Sequence, residues 1–165
     1  MDAVLVEAVL VDGRSGAGKT RFADELGRER GARVIHLDDI YPGWRGLAAA
    51  SRVVVDDILR PLSLGEPATW RQWDWHADRF GGTDHAEPGE SLVIEGCGSL
   101  TRASRELVTE ALWLTAPEVV RHARILARDG DDSWWALWRA QEDEHLGLND
   151  PESLADRVID TGRRD

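Results

Sequence analysis

The chain has 165 residues, 42% of them hydrophobic and 31% charged, with a formal net charge of −11 and a pI near 4.9. That length supports one well-buried core and is short for two ordinary domains, so a single domain over residues 1–165 is expected. The acidic balance disfavours extended nucleic acid as a partner, the lone Cys97 excludes an internal disulfide, and no apolar run reaches bilayer-spanning length. With no basic-then-apolar export leader, the reducing cytoplasm is the expected compartment.

The first apolar run, Val4 to Val11, predicts a strand buried on both faces. It runs directly into Gly13-Arg14-Ser15-Gly16-Ala17-Gly18-Lys19-Thr20, which fits G-x-x-x-x-G-K-[ST] in the strand-then-loop context that this motif requires. A triphosphate presents clustered negative charge, and backbone N–H groups surround it only where side chains do not block the approach. Gly13, Gly16 and Gly18 supply that access. Lys19 is positioned to reach the β- and γ-phosphates, Thr20 offers a hydroxyl to magnesium, and a helix predicted over Lys19 to Arg30 adds the positive end of its dipole.

A second strand is predicted at Arg33 to Leu37 and a helix at Leu47 to Leu59. Residues 61–89, rich in Gly, Pro, Asp and Trp, fit no regular period and are expected to form a long substrate-side loop or small lid. A strand at Ser91 to Glu95, a helix at Arg102 to Val108 and a strand at Ala111 to Thr115 follow, then helices at Pro117 to Arg128 and Trp134 to Leu146. Asp150-Pro151 breaks the chain before a last, weaker strand at Arg157 to Asp160. Alternation of this kind predicts an α/β fold, a parallel sheet with helices on both faces.

In such sheets ligands gather beyond the carboxyl ends of the strands. The second strand ends in His36-Leu37-Asp38-Asp39-Ile40-Tyr41 and the third in Ile94-Glu95-Gly96. Asp38 is the candidate for orienting an acceptor hydroxyl and taking its proton, ahead of Asp39; the competing assignment is that the two aspartates cap the next turn. Glu95 is the candidate for holding magnesium or its waters, against a salt bridge to a basic neighbour. Arg121, Arg124 and Arg128 recur at helical spacing near His122 and Arg139, a cluster suited to phosphate oxygens, or else to pairing with Glu118, Asp129, Asp131 and Asp132 on an exposed face.

Six of the eight tryptophans fall in two groups. Trp73, in the irregular section with Trp70 and Trp75, has the flat apolar face that suits a base or sugar, with Asp74, His76 and Arg79 as hydrogen-bonding neighbours. Trp134, Trp135 and Trp138 have helical spacing and are assigned first to packing.

Together these segments resemble the uridine kinase-like P-loop kinases, a family that includes nicotinamide riboside kinases. The similarity runs through the glycine-rich loop, Asp38-Asp39-Ile40-Tyr41, Trp73-Asp74-Trp75-His76-Ala77-Asp78-Arg79, Val93-Ile94-Glu95-Gly96, and the arginine helix with Asp129. The resemblance implies a three-layer P-loop NTPase fold with strand order 2-3-1-4-5, ATP with Mg2+, and a small-molecule hydroxyl acceptor. It also implies Asp38 as catalytic base, Tyr41 and the Trp73 to Arg79 segment as acceptor contacts, and Arg124 and Arg128 on a lid formed by residues 117–147. Two other functions compete: a nucleoside monophosphate kinase, for which Arg45, Arg52 and Arg71 could receive the second phosphate, and a nucleotide-dependent switch that phosphorylates no acceptor.

Overall fold

The computed structural model describes residues 2–163. At its centre lies β1 (Val6–Gly13), every residue of which is buried except Glu7. It pairs in parallel with β5 (Leu92–Glu95) on one side, Leu10 opposite Ile94, and with β6 (Val108–Thr115) on the other, Leu10 opposite Ala111. β2 (Arg33–His36) adds outside β5 and β7 (Arg157–Asp160) outside β6. The sheet order is β2-β5-β1-β6-β7, which among the five parallel strands in chain order is 2-3-1-4-5, as the resemblance implied.

Two apolar layers cover this sheet. On one face Leu10, Ile94, Leu37 and Leu100 meet Ile58 and Leu59; on the other, Val9, Val11, Val93 and Leu112 meet Ala23 and Leu26 of α1 (Lys19–Arg30). Burying each large aliphatic side chain contributes roughly 1.5–3 kcal/mol. α1 begins the residue after the glycine loop because Gly18, in the left-handed region at φ 89°, turns the chain into the helix, and it stops where Gly31 at φ 62° sends its N–H back to the carbonyl of Gly27. Ile58 and Leu59 belong to a π-helical turn (Val54–Leu59) joining α2 (Leu47–Val53) to α3 (Arg60–Ser63).

Residues 61–89 depart from the expected loop. β3 (Ala68–Asp74) and β4 (Arg79–Ala86) form an antiparallel hairpin, with Trp70 opposite Asp84 and Trp73 opposite Phe80. The pair shows the alternation of a half-buried strand at its base, where Ala68 and Trp70 are buried and Thr69 and Arg71 exposed. Arg33 of β2 fastens it, bonding Asp84 at 2.6 Å and lying over the Trp70 ring.

Beyond β5 the chain forms the short helix α4 (Arg102–Arg105), and beyond β6 the helices α5 (Glu118–Asp129), α6 (Trp135–Asn149) and α7 (Pro151–Leu154). α5 and α6 flank the carboxyl ends of β1 and β5, so the glycine loop, the turn after β2 and the α5–α6 corner enclose one cleft of about 510 Å³. Among the described residues no helix is long and apolar enough to cross a membrane.

Candidate active site

The floor of the cleft is the glycine loop. Gly16 sits at φ 82°, and a Cβ there would lie 2.5 Å from the carbonyl oxygen of Arg121, so loop and α5 touch backbone to backbone. No side chain caps the start of α1, which leaves its first N–H groups available to an anion. Lys19, the first residue of α1, is buried, and its Nζ donates to the Arg14 carbonyl at 2.9 Å. Burial opposes its charge, but Cys97, Glu95, Glu142 and Asp12 around it raise its pKa above the ordinary lysine value. Of these Cys97 is itself neutral at physiological pH, because burial pushes its thiol up to about 12. The carboxylates therefore keep Lys19 charged in a dry setting.

Beside the loop, Thr20 Oγ1 donates to Glu95 Oε1 at 3.2 Å, so the two predicted metal-side oxygens are neighbours lining the cleft. The same Oε1 takes a 2.7 Å bond from His36 Nδ1, whose Nε2 faces Asp24 at 3.5 Å. The bond to Glu95 is the main cause of a raised His36 pKa, with burial opposing it. Glu95 thus has the basic neighbour of the competing assignment and still presents an edge to the cleft. A hydroxyl next to a carboxylate is a hard-oxygen set of the kind magnesium takes with phosphate and water, and the site fits that ion.

Asp38 and Asp39 occupy a 3-10 turn (Leu37–Asp39) on the opposite wall. Neither carboxylate accepts a hydrogen bond among the described residues, and the turn has no side-chain cap, so capping does not account for them. Asp38 is reached by water from the cleft but hemmed in by protein; desolvation first and the Glu95 charge second raise its pKa, while Lys19 and Arg128 pull it down. Its backbone carbonyl accepts from Trp75 Nε1 at 2.8 Å, which brings the hairpin tip over the cleft.

Tyr41 is buried, donates its hydroxyl to the Cys97 carbonyl at 2.7 Å, and meets Trp138 edge to face at 4.8 Å. It acts as wall and not as a free hydrogen-bonding group. Trp44 completes that wall, stacked on Trp134 at 5.3 Å and tilted against Trp75 at 5.0 Å, with 47% of its surface exposed. The sequence did not single out Trp44, a lone aromatic in a loop. Trp138 is in the core as expected, yet it and Trp134 also line the cleft.

The hairpin residues predicted to touch a ligand mostly stand elsewhere. Trp73 packs on Phe80 at 5.1 Å, and its buried indole N–H has no partner among the described residues. Asp74 spends Oδ1 on the N–H groups of His76 and Ala77, at 2.9 and 3.0 Å, which ties the turn. His76 and Arg79 are exposed at the tip, and of this segment only Trp75 lines the cleft.

The arginine cluster divides. Arg121 is buried and holds the carbonyls of Ala116 and Ser15 at 3.1 and 3.3 Å. Arg124 lines the cleft, bonding the Gly16 carbonyl at 3.0 Å and the Thr161 carbonyl at 2.6 Å. Arg128 also lines it, paired in two bonds with Asp129 at 2.7 and 3.0 Å. His122 pairs with Asp132 and Arg139 with Glu118 on the exposed face, the alternative that the sequence left open.

Two further residues of the site escaped the sequence. Glu142 of α6 accepts from the Ser15 N–H at 2.7 Å, and His145 Nε2 meets Asp12 Oδ2 at 2.9 Å, all of them buried except Ser15. Arg14, predicted to serve the nucleotide, is held away by Asp143 at 2.6 Å.

No family model and no curated protein sequence matches the chain. Solved structures do. A possible uridine kinase from Bacillus stearothermophilus superposes with a TM-score of 0.65 at 21% identity, covering 97% of this chain and 91% of that one. Shikimate kinase from Acinetobacter baumannii in complex with shikimate gives 0.56 at 16% identity, covering 96% and 86%, and a gluconokinase from Sinorhizobium meliloti 1021 gives 0.50 at 16%, covering 98% and 85%. What this chain shares with them, over nearly its whole length, is the three-layer α/β fold.

Proposed function

We propose that the protein is an ATP-dependent phosphotransferase that moves the γ-phosphoryl group of Mg-ATP to a hydroxyl of a nucleoside or similar small metabolite. One observation carries this: a lysine-bearing glycine loop and an unbonded carboxylate, Asp38, face each other across a single aromatic-walled cleft. In this reading the glycine loop from Gly13 to Thr20 holds the phosphates, with Lys19 and Arg124, through its uncommitted amides such as those of Gly16, Gly18, Lys19 and Thr20, the N–H groups of Gly13, Ser15 and Ala17 being given to Asp12, Glu142 and the Arg14 carbonyl. Thr20 and Glu95 would hold the magnesium, which when bound neutralises phosphate charge. Asp38 accepts the proton of the attacking hydroxyl as its oxygen bonds to phosphorus and the bond to the β-phosphate oxygen breaks, and Arg124 and Arg128 stabilise the developing charge.

The acceptor end supports a non-anionic molecule. Asp38 and Asp39 are its unbonded polar side chains among the described residues, Tyr41 is committed to Cys97, and Arg128 gives its Nε and one terminal nitrogen to Asp129. Such a surface asks the ligand for hydroxyl donors and a flat apolar face, and it repels a carboxylate or phosphate. We therefore assign acceptor contact to Asp38, Trp44, Trp75, Trp134 and Trp138, in place of Asp74, His76 and Arg79. The same inventory weighs against a monophosphate acceptor: Arg45, Arg52 and Arg71 do not line the cleft, and the Arg71 guanidinium lies 4.0 Å over the Phe80 ring. A pure switch has no use for Asp38.

The test is a screen of nucleosides, nucleotides, sugars and vitamin ribosides with labelled ATP, read by mass. A phosphorylated product from an uncharged or cationic hydroxyl compound is expected. Phosphorylation confined to monophosphates, or ATP turnover with no labelled acceptor from the whole library, would overturn the assignment.

A further inference from the structure

One face of α6 carries Trp138, Gln141, Glu142 and His145, at the i, i+3, i+4 and i+7 spacing that lines residues up along a helix. Trp138 lines the cleft, and the other three each brace a different part of its surroundings. Trp138 packs against Tyr41. Gln141 donates to the Trp44 carbonyl at 2.7 Å and accepts from the Leu47 N–H at 3.3 Å. Glu142 accepts from Ser15 N–H and lies 3.6 Å from the Arg14 guanidinium. His145 meets Asp12, whose other oxygen takes the Gly13 N–H at 2.7 Å. Aromatic wall and glycine loop are thus mounted on one rigid rod.

Glu142 is the costly member of this set. It is 3% exposed, and an ionised carboxylate at that depth persists only where bonds and counter-charges compensate its lost hydration. It does not line the cleft, so it has no route to a phosphate or to an acceptor. Its charge supports Lys19 only alongside those of Glu95 and Asp12, and a negative charge behind an anion cradle also works against anion binding, so its charge alone does not explain its place. What it supplies is geometry: it fixes the Ser15 amide, with Arg14 and the Cys97 thiol, 3.4 Å away, as its other neighbours.

We infer that Glu142 is a positioning residue, which through its bond to the Ser15 N–H holds the glycine loop against α6 and so sets the spacing between nucleotide phosphates and the aromatic wall. This rests on the nucleotide-binding role of the loop proposed above. Two variants separate geometry from charge. Glu142→Gln keeps a carbonyl oxygen within reach of Ser15 and removes the charge. Glu142→Asp keeps the charge but withdraws it by one methylene, about 1.5 Å, which breaks a 2.7 Å bond.

Binding of a non-hydrolysable ATP analogue with Mg2+ is measured by calorimetry at a temperature where melting curves show each variant fully folded. Glu142→Asp is expected to weaken the Kd roughly tenfold or more, and Glu142→Gln to stay within about threefold of the wild type. The reverse ranking, or two variants that cannot be told apart in Kd whatever their Tm, would overturn the inference. Wild-type protein that takes up no analogue would instead overturn the nucleotide reading itself.

Discussion

Asp38→Asn exchanges one carboxylate oxygen for an amide nitrogen of nearly equal size, at a side chain that no hydrogen bond holds among the described residues. A well-placed general base typically contributes 10²–10⁴-fold, so kcat for the acceptor found by the screen should fall by about two to four decades, ~3–5 kcal/mol of barrier. Nucleotide affinity should move the other way or stay put. The Asp38 charge draws on Lys19 and Arg128, and removing it leaves both freer for phosphate. Calorimetry with the Mg2+-bound analogue should therefore give a Kd no more than about threefold from wild type, on the tighter side if it shifts. The pH dependence follows from the same group. Desolvation by the surrounding protein and the Glu95 charge raise its pKa, and the base works only when deprotonated, so wild-type kcat/KM should decline on acidification from a higher pH than an ordinary carboxylate sets. In the Asn variant that limb disappears. Stability has a definite sign too: a carboxyl whose folded pKa exceeds its unfolded one favours folding at low pH and loses that advantage as pH rises through the folded value. At neutral pH the Asn variant should consequently melt above the wild type. Turnover within threefold of wild type, or a loss of nucleotide affinity as large as the loss of turnover, would refute the role given to Asp38.

Other substitutions probe the remaining parts. Thr20→Val keeps the shape and deletes the hydroxyl beside Glu95, and the Mg2+ concentration for half-maximal activity should rise roughly tenfold, read by metal titration at saturating nucleotide. Trp44→Ala removes the centre of the aromatic wall, so acceptor KM should rise roughly tenfold, about 1.4 kcal/mol, with analogue Kd unchanged in calorimetry. Gly96→Ala would put a methyl group 2.5 Å from Leu37 Cβ, an atom fixed to its backbone, and 2.9 Å from the Tyr41 hydroxyl, which its bond to Cys97 holds in place; thermal melting should show roughly 1–3 kcal/mol of destabilisation.

The glycine-loop half of the cleft was legible because a phosphate-loop motif is a contiguous pattern. Three glycines, a lysine and a threonine must follow a buried strand, and β1 with the start of α1 falls within two residues of where the apolar run and the motif put it. The sheet was legible for the same reason: strands buried on both faces read as unbroken apolar runs, and only their ends were misjudged, as at β6, which opens at Val108 and not Ala111. The aromatic half is assembled from distant pieces. Trp44, Trp75, Trp134 and Trp138 come from a loop, a hairpin tip, a helix corner and a helix, and no spacing in sequence announces that they meet. The hairpin was masked by its Gly, Pro and Asp content, although Ala68 to Arg71 does alternate. Gln141, Glu142 and His145 share a helix face with Trp138, but polar side chains on a buried face look like a solvated one until the partners Asp12 and Ser15 are in place.

Three indoles crowded around Trp44, itself half open to solvent, give the protein an internal optical reporter. Ring-to-ring separations of 5.0 to 6.4 Å leave their excited states sensitive to small rearrangements and to water entering between them. Emission excited near the red edge of indole absorbance should accordingly respond when a molecule fills the space beside Asp38, and acceptors could be ranked by titration in a cuvette before any turnover is measured.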